Sequence, residues 1–213
     1  MYGLVNQAIQ GLVVDNFGNE NWNKIKQKAG VTEEAFLSNE MYDDSVTFNL
    51  AVAASDILNL PLEDVLKTFG KYWIIKVGNE KYGPLMRSGG DNFIDFILNL
   101  PNFHSRVMLI YSDIKPPEFV IERPADNKLV LHYYSTREGL TDFMFGLIQG
   151  LGELYNATID ITIVGDRRKG GDHDIFEINV ENTDIEKTCD KIIEILINQK
   201  ILSKIFAHHI KMF

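Results

Sequence analysis

Leu129-Val130-Leu131-His132-Tyr133-Tyr134-Ser135 (residues 129–135) reads as a β-strand, rich in β-branched and aromatic residues and preceded by the turn-like Ala125-Asp126-Asn127. Residues 118–122 read as an earlier strand after the loop at Pro116-Pro117. Residues 158–164 alternate cleanly between apolar and polar side chains. A charged, glycine-containing loop follows over residues 166–172, and residues 173–180 form the returning strand. Between these pairs lies an apolar helix over residues 140–155, with Gly146, Gly150 and Gly152 available for close packing.

The period changes towards the N-terminus. Tyr2, Val5, Ile9, Leu12 and Val13 recur at helical spacing until Gly18-Asn19 breaks the run. Residues 22–28 read as a short amphipathic helix stopped by Gly30, and Thr32 with Glu33 and Glu34 reads as another helix start. Asp43 or Asp44 caps the next helix, and Pro61 stands at the N-terminus of an amphipathic helix over residues 62–74. Gly89-Gly90 is a break, Asp91 starts a helix, and Pro101 restarts it, placing Leu100, His104, Val107, Met108 and Tyr111 on one face. Helices first and an antiparallel sheet second make an α+β fold, with a helical N-terminal subdomain and a C-terminal subdomain of sheet plus helices. The main domain covers residues 1–181. Residues 182–213 read as an appended helical extension or linker carrying an isoleucine stripe.

Composition narrows the function classes. The 213 residues are 45% hydrophobic, 24% charged and 11% aromatic, which suits a globular domain with a large core. Lys plus Arg number 21 against 30 Asp plus Glu, and the formal net charge of −9 argues against nucleic acid as a partner. The single cysteine, Cys189, excludes an internal disulfide framework, a Cys-rich zinc site and an iron–sulfur cluster. No basic-then-apolar leader opens the chain, and no apolar stretch reaches about 18 residues. A cytoplasmic domain without membrane insertion is expected.

No glycine-rich phosphate loop, Ser/His/Asp constellation or two-His metal spacing stands out. His104 differs from the other four histidines because it lies on the apolar face of its helix. It reads either as a satisfied core histidine or as a ligand. In Tyr133-Tyr134-Ser135-Thr136-Arg137, residues two apart share a strand face, so two hydroxyls and a guanidinium point the same way. Such a face is either an anion clamp or the solvated side of an edge strand. An inward histidine, an anion clamp and an aromatic, apolar body together suit haem, which needs an axial imidazole, propionate partners and a large apolar cavity.

These residues resemble the H-NOX family, the haem nitric oxide/oxygen-binding domains of bacterial sensors and of the soluble guanylate cyclase β subunit. The resemblance runs over roughly residues 1–180. Met1-Tyr2-Gly3-Leu4-Val5-Asn6 is similar to the family's opening, and Leu100-Pro101-Asn102-Phe103-His104 to its proximal helix. Lys115-Pro116-Pro117-Glu118-Phe119 is similar to the haem-flattening loop, and Tyr133-x-Ser135-x-Arg137 to the propionate motif.

The resemblance implies haem b (iron protoporphyrin IX) between the two subdomains. His104 is then the proximal iron ligand, Tyr133, Ser135 and Arg137 hold the propionates, and Pro117 presses on the porphyrin. Leu4, Val5, Ile9, Trp73, Phe143, Met144 and Leu147 line the distal pocket. Phe143, flanked by Asp142 and Met144, stands where dioxygen-binding members carry a tyrosine, which implies a sensor of nitric oxide (and carbon monoxide) that excludes dioxygen. Trp73 keeps an indole N–H donor. Nitric oxide binding would release His104 and let the helix from about Pro101 to Tyr111 shift, signalling to an effector. That effector is a histidine kinase, a diguanylate cyclase or a guanylate cyclase domain, fused or separate. Pro101 departs from the family pattern and stiffens the start of that helix. Haem storage or transport, or an interaction module without gas signalling, are the alternatives; catalysis by this chain is not expected.

Overall fold

The computed structural model describes residues 1–110 and 116–181. Tyr111, Lys115 and the extension over residues 182–213 lie outside the described residues. The fold is α+β: among the described residues, seven α-helices pack with one four-stranded antiparallel sheet.

Helix α1 (Gly3–Ala29) is interrupted where the sequence places a break: Gly18, at φ 81°, ψ 166°, is non-helical and kinks the element between two helical segments. A side chain at Gly18 would meet open space, so the glycine is there for its backbone conformation. Gly30, left-handed at φ 68°, caps the end by donating its N–H to the Gln27 carbonyl (3.2 Å).

The helix expected from Thr32 does not form. Residues 31–43 instead make an irregular strap whose carbonyls serve the first turns of α1. The Gly3 N–H donates to Glu40 (2.8 Å), the Leu4 N–H to Ser38 (3.3 Å) and Gln7 Nε2 to Phe36 (2.5 Å). Helix N-termini leave amide groups without intrahelical acceptors, and here the strap supplies them while burying Phe36.

Asp43 caps α2 (Asp44–Leu58), its carboxylate accepting from the Ser45 N–H at 2.8 Å. Pro61 precedes α3 (Leu62–Tyr72). The helix expected to stop at Ile74 continues through a π-helical turn (Trp73–Gly78) into α4 (Asn79–Arg87). Asn92, not Asp91, caps α5 (Phe93–Leu98), and α6 (Leu100–Ile110) carries Pro101 in its first turn. No single described helix is long and apolar enough to cross a membrane.

The sheet contains β1 (Glu118–Ala125), β2 (Lys128–Tyr134), β3 (Ile159–Gly165) and β4 (Asp174–Val180), in the order β1-β2-β4-β3. Helix α7 (Thr141–Leu154) connects β2 to β3. Phe119, Leu129, Leu131, Tyr133, Phe176 and Ile178 turn one sheet face inward.

Two apolar cores result. One joins the sheet to α5, α6 and part of α7; the other joins α1, α2 and α3. They meet where α3 crosses α7, with Trp73 packing on both and Phe143 and Met144 facing different cores. The crossing is close because a Cβ on Gly146 would collide with the Lys67 carbonyl, and one on Gly150 would lie 2.8 Å from Ile74 Cβ.

Candidate functional site

A cavity of about 350 Å³ opens between the two cores. His104 reaches it from α6, Pro117 from the segment before β1, Tyr133 from β2, and Ser135 and Arg137 from the β2–α7 connection. Leu4, Val5 and Ile9 of α1, Trp73 of the π-helical turn, and Phe143, Met144 and Leu147 of α7 complete the set expected from sequence. All twelve residues therefore face one space. Pro116 lines it as well, as do Thr47, Leu66, Phe69, Tyr82, Phe96 and Phe103, which the sequence reading did not single out. Leu66, Phe69, Phe96 and Phe103 follow the apolar pattern of their helices and were indistinguishable from ordinary core.

His104 stands half-buried at the cavity wall, one turn into α6. Its Nδ1 lies 3.1 Å from the Leu100 carbonyl, four residues back. A carbonyl can only accept, so Nδ1 carries the proton and Nε2 keeps a bare lone pair. The Phe119 ring lies 4.9 Å away at 44° and the Phe103 ring meets it edge-on at 5.7 Å, fixing the imidazole plane. Burial pushes the pKa of His104 down, against the opposing effect of the Leu100 hydrogen bond, and keeps the ring neutral. A neutral imidazole with one nitrogen hydrogen-bonded and the other bare is the form that ligates iron.

Tyr133, Ser135 and Arg137 do converge, though not by the strand alternation expected of them. Strand β2 ends at Tyr134, so only Tyr133 is placed by the pleat. Ser135 and Arg137 belong to the connection into α7, where the Arg137 N–H donates to Ser135 Oγ at 3.1 Å and folds the two together. Burial raises the Tyr133 pKa, with Ser135 and nearby arginines opposing the rise, so its phenol stays protonated and able to donate.

The Arg137 guanidinium already holds a carboxylate. Its Nε donates to Asp44 Oδ2 at 2.7 Å, while the Met1 amino group lies 2.6 Å from Asp44 Oδ1. Burial alone would raise the Asp44 pKa, but these cationic donors outweigh it and hold the carboxyl below its ordinary value.

One residue behind the clamp was missed. Arg167, in a short 3₁₀ turn (Arg167–Lys169) between β3 and β4, donates Nη1 to the Ser135 carbonyl (2.6 Å) and to the Arg137 carbonyl (3.3 Å). Its own N–H is held by the buried Asp174 carboxylate at 3.0 Å, whose other oxygen accepts from Thr141 at 2.9 Å. The sequence shows this stretch only as a charged loop; nothing in Asp166-Arg167-Arg168-Lys169 tells which arginine turns inward.

Of the three consecutive α7 residues Asp142, Phe143 and Met144, Asp142 turns away from the cavity. It pairs with Arg168 (2.6 Å) and, more loosely, Lys67 (3.8 Å). Phe143 and Met144 face the cavity, and the Phe143 ring packs on Phe69 at 4.8 Å. The Thr47 hydroxyl donates to the buried Asn6 Oδ1 at 2.7 Å. A largely apolar chamber with one bare imidazole nitrogen and an edge of hydroxyls and guanidinium fits a haem and its propionates.

Comparison with known proteins agrees with this chemistry. The profile of the Haem-NO-binding family matches residues 2–163. Soluble guanylate cyclase gcy-31 of Caenorhabditis elegans is 24% identical over 189 residues, 88% of this chain and 27% of that protein. The rat guanylate cyclase soluble subunit beta-2 is 36% identical over 92 residues, 43% of this chain and 14% of that protein. The chain thus spans about a quarter or less of the length of such relatives. An H-NOX protein from S. oneidensis in the Fe(II)NO state superposes with a TM-score of 0.78 at 23% identity, covering 85% of this chain and 100% of that one. The Fe(II) unliganded H-NOX protein from K. algicida gives 0.74 at 26%, covering 86% and 98%.

Proposed function

The chain belongs to the haem-NO-binding (H-NOX) family, haem-based gas sensors related to soluble guanylate cyclase, and from that premise we propose that it senses nitric oxide, excludes dioxygen and reports to a separate or fused effector. The observation that carries the reading is that His104, its Nδ1 engaged by the Leu100 carbonyl and its Nε2 bare, lines the same cavity as Tyr133, Ser135, Arg137 and Phe143.

When bound, haem b would supply a ferrous iron able to take up nitric oxide. His104 is assigned as the residue that would hold that iron, through Nε2. Its one hydrogen bond runs to its own helix, so a displacement of the imidazole would be carried to α6. Tyr133, Ser135 and Arg137 are assigned to the propionates, with Arg137 gripping a carboxylate as it grips Asp44 here. Pro117 and Phe119 bracket the proximal side. On the distal side, the Phe143 ring offers no hydrogen-bond donor to a bound gas. Carbon monoxide, which needs no donor, is expected to bind too. A guanylate cyclase domain, a histidine kinase or a diguanylate cyclase is the class of effector such a sensor would control.

Absorption spectra of the ferrous protein under argon, nitric oxide, carbon monoxide and air test the reading. A stable spectral change with nitric oxide and with carbon monoxide, and no oxygenated spectrum in air, supports it; an oxygenated spectrum in air overturns the selectivity. His104→Gly is expected to lose haem unless imidazole is supplied. Unchanged haem retention in that variant removes His104 from the role.

A further inference from the structure

Strand β2 ends at Tyr134, just short of Ser135, and the connection that carries Ser135 and Arg137 has no regular structure up to Leu140. Such a segment lacks a ladder to fix its carbonyls, yet two of them are fixed by a single side chain. Arg167 Nη1 donates to the Ser135 carbonyl at 2.6 Å and to the Arg137 carbonyl at 3.3 Å. The base it works from is rigid. The Arg167 N–H donates to Asp174 Oδ1 at 3.0 Å, and Asp174 Oδ2 accepts at 2.9 Å from the Thr141 hydroxyl, in the first turn of α7. Asp174 and Thr141 are each 2% exposed, so water does not compete for these bonds. Arg168, the next residue of the turn, pairs with Asp142 at 2.6 Å and Asp166 at 3.0 Å. The turn is thus tied to the start of α7 twice, just ahead of Phe143.

We propose that Arg167 is a positioning residue for haem: from outside the cavity it holds Ser135 and Arg137 in the arrangement that meets a propionate. The inference rests on the assignment of those two residues to the propionates. Arg167 does not line the cavity, so any effect it has on the cofactor passes through its neighbours. Among the described residues its guanidinium is bonded to two carbonyls and paired with no carboxylate, which is the use of an arginine that fixes backbone rather than balances charge. With Arg167 removed, both carbonyls turn to water and the connection gains conformers in which the Arg137 side chain points elsewhere. Binding the cofactor then requires the connection to be ordered again, and that cost is taken from retention although Arg137 and its charge remain.

Transfer of haem from the loaded full chain to an apo-globin acceptor tests the proposal, with far-UV circular dichroism as the folding control. Arg167→Ala is expected to lose haem about tenfold faster, the scale set by one hydrogen bond from a charged donor. Arg167→Lys keeps a cationic donor without the planar fork, and its rate is expected to fall between those of Arg167→Ala and the unmutated chain. In an Arg137→Ala background, Arg167→Ala is expected to add only a small part of its single effect, because the side chain it positions is gone. Haem dimethyl ester, whose carboxylates are capped, is expected to leave Arg167→Ala and the unmutated chain at nearly the same rate. Equally accelerated loss of the ester, or full additivity with Arg137→Ala, would show Arg167 supporting the fold in general and overturn the proposal. An unchanged rate in Arg167→Ala beside a raised one in Arg137→Ala overturns it and leaves the clamp standing. Unchanged rates in both variants remove the clamp assignment and this proposal with it.

Discussion

At Arg137 and Ser135 the chemistry of the side chains differs enough to rank them. Arg137 is a fixed cation already engaged with a carboxylate, and a hydrogen bond to a charged group is worth about 1.5–3 kcal/mol. Ser135 contributes one hydroxyl, which also accepts from the Arg137 N–H. Arg137→Ala is therefore expected to release haem faster than Ser135→Ala, measured by transfer to an apo-globin acceptor. Equal rates would show that the charge is not what retains the cofactor. Phe143→Tyr adds a donor on the distal side; a neutral hydrogen bond of about 0.5–1.5 kcal/mol corresponds to a few-fold to roughly tenfold gain in dioxygen affinity. Equilibration of the ferrous variant with air reads this out, and a spectrum identical to that of the unmutated chain means the hydroxyl does not reach the gas. These residues were legible because their types are unusual in their settings. What placed Ser135 and Arg137 was not, since the strand stops short of both and a hydrogen bond across the connection, braced from behind by Arg167, makes the convergence.

Among the elements, the α3–α7 crossing holds the pocket's helical wall against the sheet half. Gly146→Ala would push a methyl group into the Lys67 carbonyl, a rigid backbone neighbour that cannot rotate away. Overpacking of this kind typically costs about 1–3 kcal/mol, so a thermal midpoint lowered by several degrees is expected by calorimetry. An unchanged midpoint would mean the two helices separate freely. The glycines of α7 signal close packing in the sequence, and the strands follow from clean alternation bounded by turn residues. The strap over residues 31–43 was illegible for a specific reason. Thr32-Glu33-Glu34 has the local composition of a helix start, but α1 needs acceptors for its first amides, and that long-range demand leaves no local trace.

Across the whole molecule, Asp44 ties distant parts together. It starts α2, accepts from Arg137 beyond the sheet and lies against the Met1 amino group. Its folded-state pKa lies below the ordinary 3.8 because those cationic donors outweigh burial. The depressed pKa means its stabilisation is complete above that ordinary value and is lost as pH falls through the lower, folded one. Denaturant unfolding of the unmutated chain and of Asp44→Asn should show a stability difference that is constant near neutrality and shrinks below about pH 4. A difference independent of pH would remove the carboxylate from this role.

The π-helical turn Trp73–Gly78 changes the phase of everything after it. Trp73 and Tyr82 both face the cavity although they are nine residues apart. At about 100° per residue, that spacing would put them on opposite sides of a regular α-helix. A π turn accommodates one extra residue, which turns the following segment back by roughly the same 100° and brings Tyr82 towards the cavity; Tyr82 itself is non-helical (φ −126°, ψ 20°) and resets the phase again before Leu85 and Met86. The far wall of the pocket is thus set by a count of backbone residues as much as by side-chain identity. Losing one residue from this turn would present a different set of side chains to the same space, a wholesale change of lining that no single substitution can make.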